Sequence, residues 1–191
     1  MSGITVVNFV TLDGVVQSPL YADEDTDGGF ERGGWVQPSM DPVVGRVMGD
    51  ATTGAGGFLF GRRTYETFVS NWSEADQSEP AVAALNRRPK YVVSRTLDKA
   101  EWHNSQIVRE DEIAGLGQRE DLVVFGSSGL IPTLVAQDLI DRYTLLVFPV
   151  VVGGGKRMFP DGGAPATLTL DGSETSTTGV IILSYSRPRG R

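Results

Sequence analysis

Apolar residues fall along this chain in short, dense runs separated by polar, glycine-rich stretches. The first run, ITVVNFV (4–10), is apolar at nearly every position and rich in β-branched side chains, the pattern of an inner strand buried on both faces. Similar runs predict strands at GFLFG (57–61), KYVVSR (90–95), SQIVRE (105–110), DLVVFG (121–126) and YTLLVFPVVV (143–152). Between them the spacing turns helical. DPVVGRVMGDAT (41–52) opens with Asp41 as N-cap and Pro42 at the first helical position. RRTYETFVS (62–70) and EPAVAALNRR (79–88) predict two short helices. In SSGLIPTLVAQD (127–138), Leu130, Ile131, Leu134 and Val135 share one face, with Pro132 tolerated in the opening turns. ATLTLDGS and GVIILSYS form a closing hairpin. The stretch from Thr11 to about Pro38 has no periodicity, and a loop of that length inside a compact domain is usually functional or mobile.

Strands alternating with helices, then antiparallel strands, predict a three-layer α/β domain with a mixed sheet. No internal repeat or linker divides it, so residues 1–191 read as one domain, and 40% hydrophobic content suffices for one core. The balance of 24 acidic to 17 basic residues, net charge −7, argues against nucleic-acid or anionic-membrane partners. A local anion site remains open, because it needs only two or three converging donors. The absence of cysteine excludes disulfides, thiolate metal sites and cysteine nucleophiles. A single histidine, His103, leaves no histidine-based metal cluster, so no metal is expected. No segment approaches the roughly 18 apolar residues of a membrane span. MSGITVVNFV lacks a basic n-region and a cleavage site, so a cytoplasmic protein is expected.

Three predicted strands end alike. FLF runs into Gly61, Arg62, Arg63 and Thr64; YVV into Ser94 and Arg95; VVF into Gly126, Ser127, Ser128 and Gly129. Ligands of open α/β sheets bind outside the carboxyl ends of the strands. Two of these ends also open helices, whose free N–H groups favour an anion. Arginine adds a planar fork matched to phosphate, and Ser and Thr add donors without bulk. Each piece has a plainer reading as a solvated face or a tight turn; together they suit a dinucleotide with a 2′-phosphate, NADPH before NADH. Asp41 is likewise either a helix cap or a proton relay, or both.

Two further motifs are weaker. DEDTDGGFE (23–31) matches the first half of a calcium loop, but Gly34 stands where the bidentate glutamate belongs, so a solvated lid is expected. GGGKR (153–157) fails the phosphate-loop spacing at Val150 and Arg157 and reads as a glycine-rich bend.

LFGRRTYE, YVVSRTL, LVVFGSSGLIPTLV and FPVVVGGGKRMF resemble, in order and spacing, the dihydrofolate-reductase-like superfamily. The nearest branch is that of the reductase domain of bacterial riboflavin biosynthesis and its stand-alone relatives. The resemblance implies an α/β/α fold with an eight-stranded mixed, mainly parallel sheet and an antiparallel C-terminal hairpin. It also implies an NADPH-dependent reductase acting on a C=N or C=O bond of a small heterocyclic substrate, similar to 5-amino-6-(5-phosphoribosylamino)uracil reductase or dihydrofolate reductase. By matching position, Gly61, Arg62, Arg63 and Thr64 would hold the pyrophosphate and 2′-phosphate, and Ser94 and Arg95 would flank the adenosine. Gly126, Ser127, Ser128, Gly129 and Leu130 would bind the pyrophosphate from the other side. Asp13 would begin the loop over the nicotinamide, Trp35 would stand at its return, and Gly154 and Lys156 would be substrate contacts. Asp41 falls near the acidic proton-relay position. Phe125 and Val15 depart from the pathway reductases, which carry an acidic and a basic residue there. The acidic loop 21–34 departs from folate reductases, and an NADP(H)-binding module without turnover is the alternative. The apolar run GVIILSYS, if left at a sheet edge, invites a second subunit, and a homodimer is expected from that edge and from the resemblance.

Overall fold

The computed structural model describes residues 2–188. Along the chain come β1 (Gly3–Thr11), α1 (Pro42–Gly54), β2 (Gly57–Gly61), α2 (Arg62–Trp72), α3 (Pro80–Arg87), β3 (Lys90–Val93) and β4 (Ser105–Val108). They are followed by α4 (Ile113–Arg119), β5 (Asp121–Phe125), α5 (Ile131–Ala136), β6 (Arg142–Phe148), β7 (Thr169–Thr175) and β8 (Ile181–Ser186). The eight strands form one sheet in the order β4-β3-β2-β5-β1-β6-β8-β7. The first six are mutually parallel, and β8 and β7 add antiparallel.

Strict alternation along the inner strands divides the core in two. Val7, Phe58, Phe60, Val92, Val123, Phe125, Leu146 and Phe148 face one side, packed with residues of α1, α2 and α3. Ile4, Val6, Leu59, Tyr91, Leu122, Val124 and Tyr143 face the other, against Ile113 and Leu116 of α4 and Ile131 and Leu134 of α5. This is the expected three-layer α/β/α arrangement. Phe68 seats α2 on the sheet, its ring 4.9 Å from Phe60 and 5.9 Å from Phe125. At the end of α3, the buried Lys90 Nζ donates to the carbonyls of Leu85 (2.7 Å), Asn86 (3.3 Å) and Arg88 (3.0 Å). Burial pulls that ammonium down to about 8, and its bonds tie the helix end to the start of β3.

Four expectations change. α5 begins at Ile131, not at Ser127, because Gly126 (φ 54°) and Ser127 (φ 53°) are both left-handed and cannot lie in a helix. α4 is an additional short helix. β6 stops at Phe148, where Pro149 offers no N–H to continue the ladder. The apolar run 181–186 is not an edge: it lies between β6 and β7. The edge is β7, exposed throughout, bearing Asp171 and Glu174 and a register irregularity between Leu170 and Gly172, features that discourage strand addition. The apolar-edge argument for a second subunit therefore does not apply. Among the described residues no helix is long and apolar enough to cross a membrane.

Candidate functional site

Parallel pairing sets Gly61 opposite Val93 and Val7 opposite Phe125, so the carboxyl ends of β3, β2 and β5 meet at one rim of the sheet, beside the middle of β1. A knot of hydrogen bonds fastens them. Asn8, buried in β1, accepts the Gly126 N–H through Oδ1 (2.6 Å) and donates through Nδ2 to the Gly126 carbonyl (3.1 Å). The Ser127 N–H donates to Thr64 Oγ1 (2.9 Å). Ser127 Oγ donates to the Phe125 carbonyl (2.9 Å) and accepts the Gly61 N–H (3.0 Å). Glycine suits position 126: its φ is 54°, and a Cβ there would stand a tight 3.1 Å from Thr64 Cγ2.

Above this rim lies a cleft of about 520 Å³, walled by Arg62, Arg63, Thr64, Gly126, Ser127, Ser128 and the loop residues 16–20 and 23–27. A groove of about 420 Å³ continues from it past Gly61, Gly129, Leu130 and Thr133 to Lys156. α2 opens onto both with Gly61 as an N-cap that lacks a side-chain bond. The N–H groups of Ser128 and Gly129 have no protein acceptor among the described residues. The donors a phosphate needs are therefore the α2 start, these two loop N–H groups and the arginines.

Expected site residues separate into ligand-facing and structural ones. Arg62 lines both clefts while pairing with Glu66 (3.1 Å). Thr64 and Ser127 line them too, but Ser127 is buried and its hydroxyl proton is committed to Phe125. The Leu130 side chain is in the core. Ser94 accepts the N–H groups of Thr96 (3.2 Å) and Leu97 (2.9 Å), closing the turn after β3. Arg95 is exposed and meets the groove only through its pair with Glu110 (3.0 Å).

In the 11–41 loop, Asp13 works as a staple. It accepts from Thr11 Oγ1 (2.6 Å) and from the N–H groups of Val152 (3.2 Å) and Gly153 (2.8 Å); these bonds, led by Thr11, lower its pKa. Trp35 is buried, edge-on to Phe148 at 5.6 Å, and its indole N–H donates to the Gln17 carbonyl (2.8 Å), pinning the loop from inside. Gly154 and Lys156 border a second hollow beside the loop.

The relay role expected of Asp41 is corrected. Asp41 lines none of these clefts; it caps α1 through Val44 N–H (3.0 Å) and accepts the Thr177 N–H and hydroxyl (both 2.8 Å). These bonds, that of Val44 foremost, hold its carboxyl well below 3.8, so it has no proton to give near neutrality.

Five residues not assigned to the site from the sequence shape it. Asn8 was visible as the one polar residue inside an apolar strand. Gln17 donates through Nε2 to the carbonyls of Asp25 (2.9 Å) and Asp27 (3.1 Å), while its Oε1 accepts the Lys156 N–H (2.9 Å). The carboxylates of Asp25 and Asp27 are not a solvated lid edge: both pair with Arg63 and Lys156. Glu24 stands in the cleft wall with Oε2 accepting the Leu20 N–H (2.9 Å), and burial raises its pKa above 4.5. Among the described residues no group of three or more His, Cys, Asp or Glu is placed to hold a metal.

Asn8→Ala strands the Gly126 N–H and carbonyl and is expected to cost about 1–3 kcal/mol in urea unfolding while weakening anion binding at the cleft. Equal stability would show that the knot is dispensable. Asp41 has a depressed folded pKa, so its contribution is complete above the unfolded value of 3.8 and is lost as pH falls through the lower folded one. Asp41→Asn is therefore expected to lower stability at neutral pH and to flatten the acid limb of a thermal-melt series; an unaltered limb would contradict this.

The family model of the RibD C-terminal domain matches residues 3–182. The uncharacterized protein YyaP of Bacillus subtilis (strain 168) is 26% identical over 153 residues, 76% of this chain and 80% of that one. Among solved structures, a Shewanella sp. PV-4 protein assigned by name to riboflavin biosynthesis has a TM-score of 0.73 at 20% identity, covering 99% of this chain and 100% of that one. The diaminohydroxyphosphoribosylaminopyrimidine deaminase/5-amino-6-(5-phosphoribosylamino)uracil reductase of Thermotoga maritima has a TM-score of 0.63 at 13% identity. The match covers 98% of this chain and 57% of the Thermotoga protein. At these identities the two structures share the fold.

Proposed function

Since the chain belongs to the RibD C-terminal domain family, we propose that it is an NADPH-dependent reductase acting on a C=N or C=O bond of a small heterocyclic substrate. The observation that carries this reading is the convergence of three parallel strand ends on one cleft, with Arg62, Arg63, the uncapped start of α2 and the free N–H groups of Ser128 and Gly129 all bordering it. These residues fit an extended polyphosphate ligand. The left-handed Gly126 and Ser127 turn lets backbone approach where a Cβ at Gly126 would meet Thr64. Arg62 and the Ser128 and Gly129 amides would hold the phosphates, and the bound nicotinamide supplies hydride.

The chain's own residues do the rest. Phe9, Leu20, Met48, Phe68 and Phe125 give the cleft an apolar wall for a flat ring. Val15 is fully buried and Phe125 stacks within the aromatic core, so neither position presents the charge that the pathway reductases carry there. Glu24 takes the proton-donor role that Asp41 cannot fill. It borders the same cleft, burial favours its protonated form, and its Oε1 has no hydrogen-bond partner among the described residues. A cleft acid of this kind favours turnover over a binding module without chemistry.

Titration of the full chain with NADPH and with NADH, followed by nicotinamide fluorescence, is expected to show tighter NADPH binding. Arg62→Ala should lose about tenfold for NADPH and little for NADH; binding of neither cofactor would remove the reading. With a substrate found by screening NADPH oxidation, Glu24→Gln is expected to lower kcat about 10²- to 10⁴-fold with NADPH affinity unchanged. Activity of the parent should fall as pH rises through the raised Glu24 pKa, and that limb should vanish in the variant. Unchanged kcat would take Glu24 out of the chemistry.

A further inference from the structure

Two of the cations bordering the groove are already occupied by the protein's own carboxylates. Lys156 Nζ lies 2.5 Å from Asp25 Oδ2 and 3.0 Å from Asp27 Oδ2. Arg63 pairs with Asp27 and lies 3.7 Å from Asp25 Oδ1. The quartet joins three segments: the 11–41 loop, the first turn of α2 and the glycine-rich bend after β6. All four side chains border the groove that also holds Ser128 and Gly129. The two carboxylates are presented on a built scaffold, since Gln17 holds both of their carbonyls and Ser18 Oγ accepts the Asp25 N–H (2.6 Å). Two carboxylates on two cations leave the quartet electrically neutral, so an incoming anion meets a local charge balance already closed.

We propose that Asp25 and Asp27 form an acidic latch that holds the place of a ligand phosphate at Arg63 and Lys156. Ligand entry is then a partner exchange. The phosphate takes Arg63 and Lys156, and the carboxylates of Asp25 and Asp27, left without counter-ions beside it, turn out to solvent. Ligand and latch compete for the same cations, so the observed affinity is the intrinsic one multiplied by the fraction of unlatched protein. The proposal rests on the cofactor reading for the identity of the ligand, and on the ion-pair quartet alone for the latch.

The test is calorimetric titration of NADPH and, separately, of inorganic pyrophosphate into the full chain, into Asp25→Asn/Asp27→Asn and into Asp27→Asn alone. Asp23→Asn is the control for general charge, because Asp23 borders the same cleft without an ion pair among the described residues. Far-ultraviolet circular dichroism confirms that each variant is folded, and the single variant serves if the double one is not. The latch predicts affinity raised about tenfold or more for either probe in the latch variants, with little change in Asp23→Asn. Latch variants that bind neither probe more tightly than Asp23→Asn does would overturn it. If pyrophosphate gains while NADPH binds to neither parent nor variant, the latch stands and the NADPH reading falls.

Discussion

The side-chain amide of Asn8 closes on the Gly126 peptide from both sides, and the geometry of the cleft follows from that bond pair. Parallel pairing aligns the strands but leaves their ends free to diverge, since each continues into a different helix or loop. The Asn8 bonds stop that divergence between β1 and β5. The exchange among Gly61, Thr64 and Ser127 extends the restraint to β2 and to the first turn of α2. The left-handed backbone at Gly126 and Ser127 is held by these bonds, an arrangement in which local conformational cost is repaid by surrounding structure. Several hydroxyls suited to bind a ligand are spent on this restraint. What remains for an anion at these strand ends is chiefly backbone N–H and arginine.

The inner strands of the sheet were legible because strands buried on both faces are apolar at nearly every position. α1 was legible from its Asp41 cap and Pro42, and α2 from spacing. α4 was not, because DEIAGLGQRE is short, carries two glycines and offers only Ile113 and Leu116 to the core. The late start of α5 was hidden as well, since GSSG suits a helix opening as readily as the left-handed turn it forms. In the site, the arginines and glycines at the strand ends were readable as types and positions. Their partners were not, because Asn8 and Gly126 are 118 residues apart, and Lys156 and Asp25 131 apart. No local pattern records which carboxylate will stand opposite which cation. For the same reason Asp41 kept two readings until Thr177 was found on its other oxygen.

Electrostatically, the protein sets a small cationic patch within an acidic surface and then neutralises it from its own loop. This separates two properties that a bare arginine cluster would combine. General attraction of anions is suppressed by the net charge of −7 and by the paired carboxylates. Selection is left to a ligand able to satisfy backbone N–H groups and guanidinium together.

The position of β1 has a consequence for how the chain comes into being. β1 lies between β5 and β6, whose residues follow it by more than a hundred positions, as in the pairs Gly3↔Asp121 and Thr5↔Arg142. During synthesis this apolar strand leaves the ribosome well before β5 and β6 and has no neighbour in the sheet until β5 has been made. β2, β3 and β4 pair in chain order and can assemble earlier. Folding is thereby governed by closure of the longest loops, a slow class of event. Until that closure ITVVNFV is an unpaired apolar segment of the kind that aggregates, so the time taken to close those loops sets how long it stays exposed.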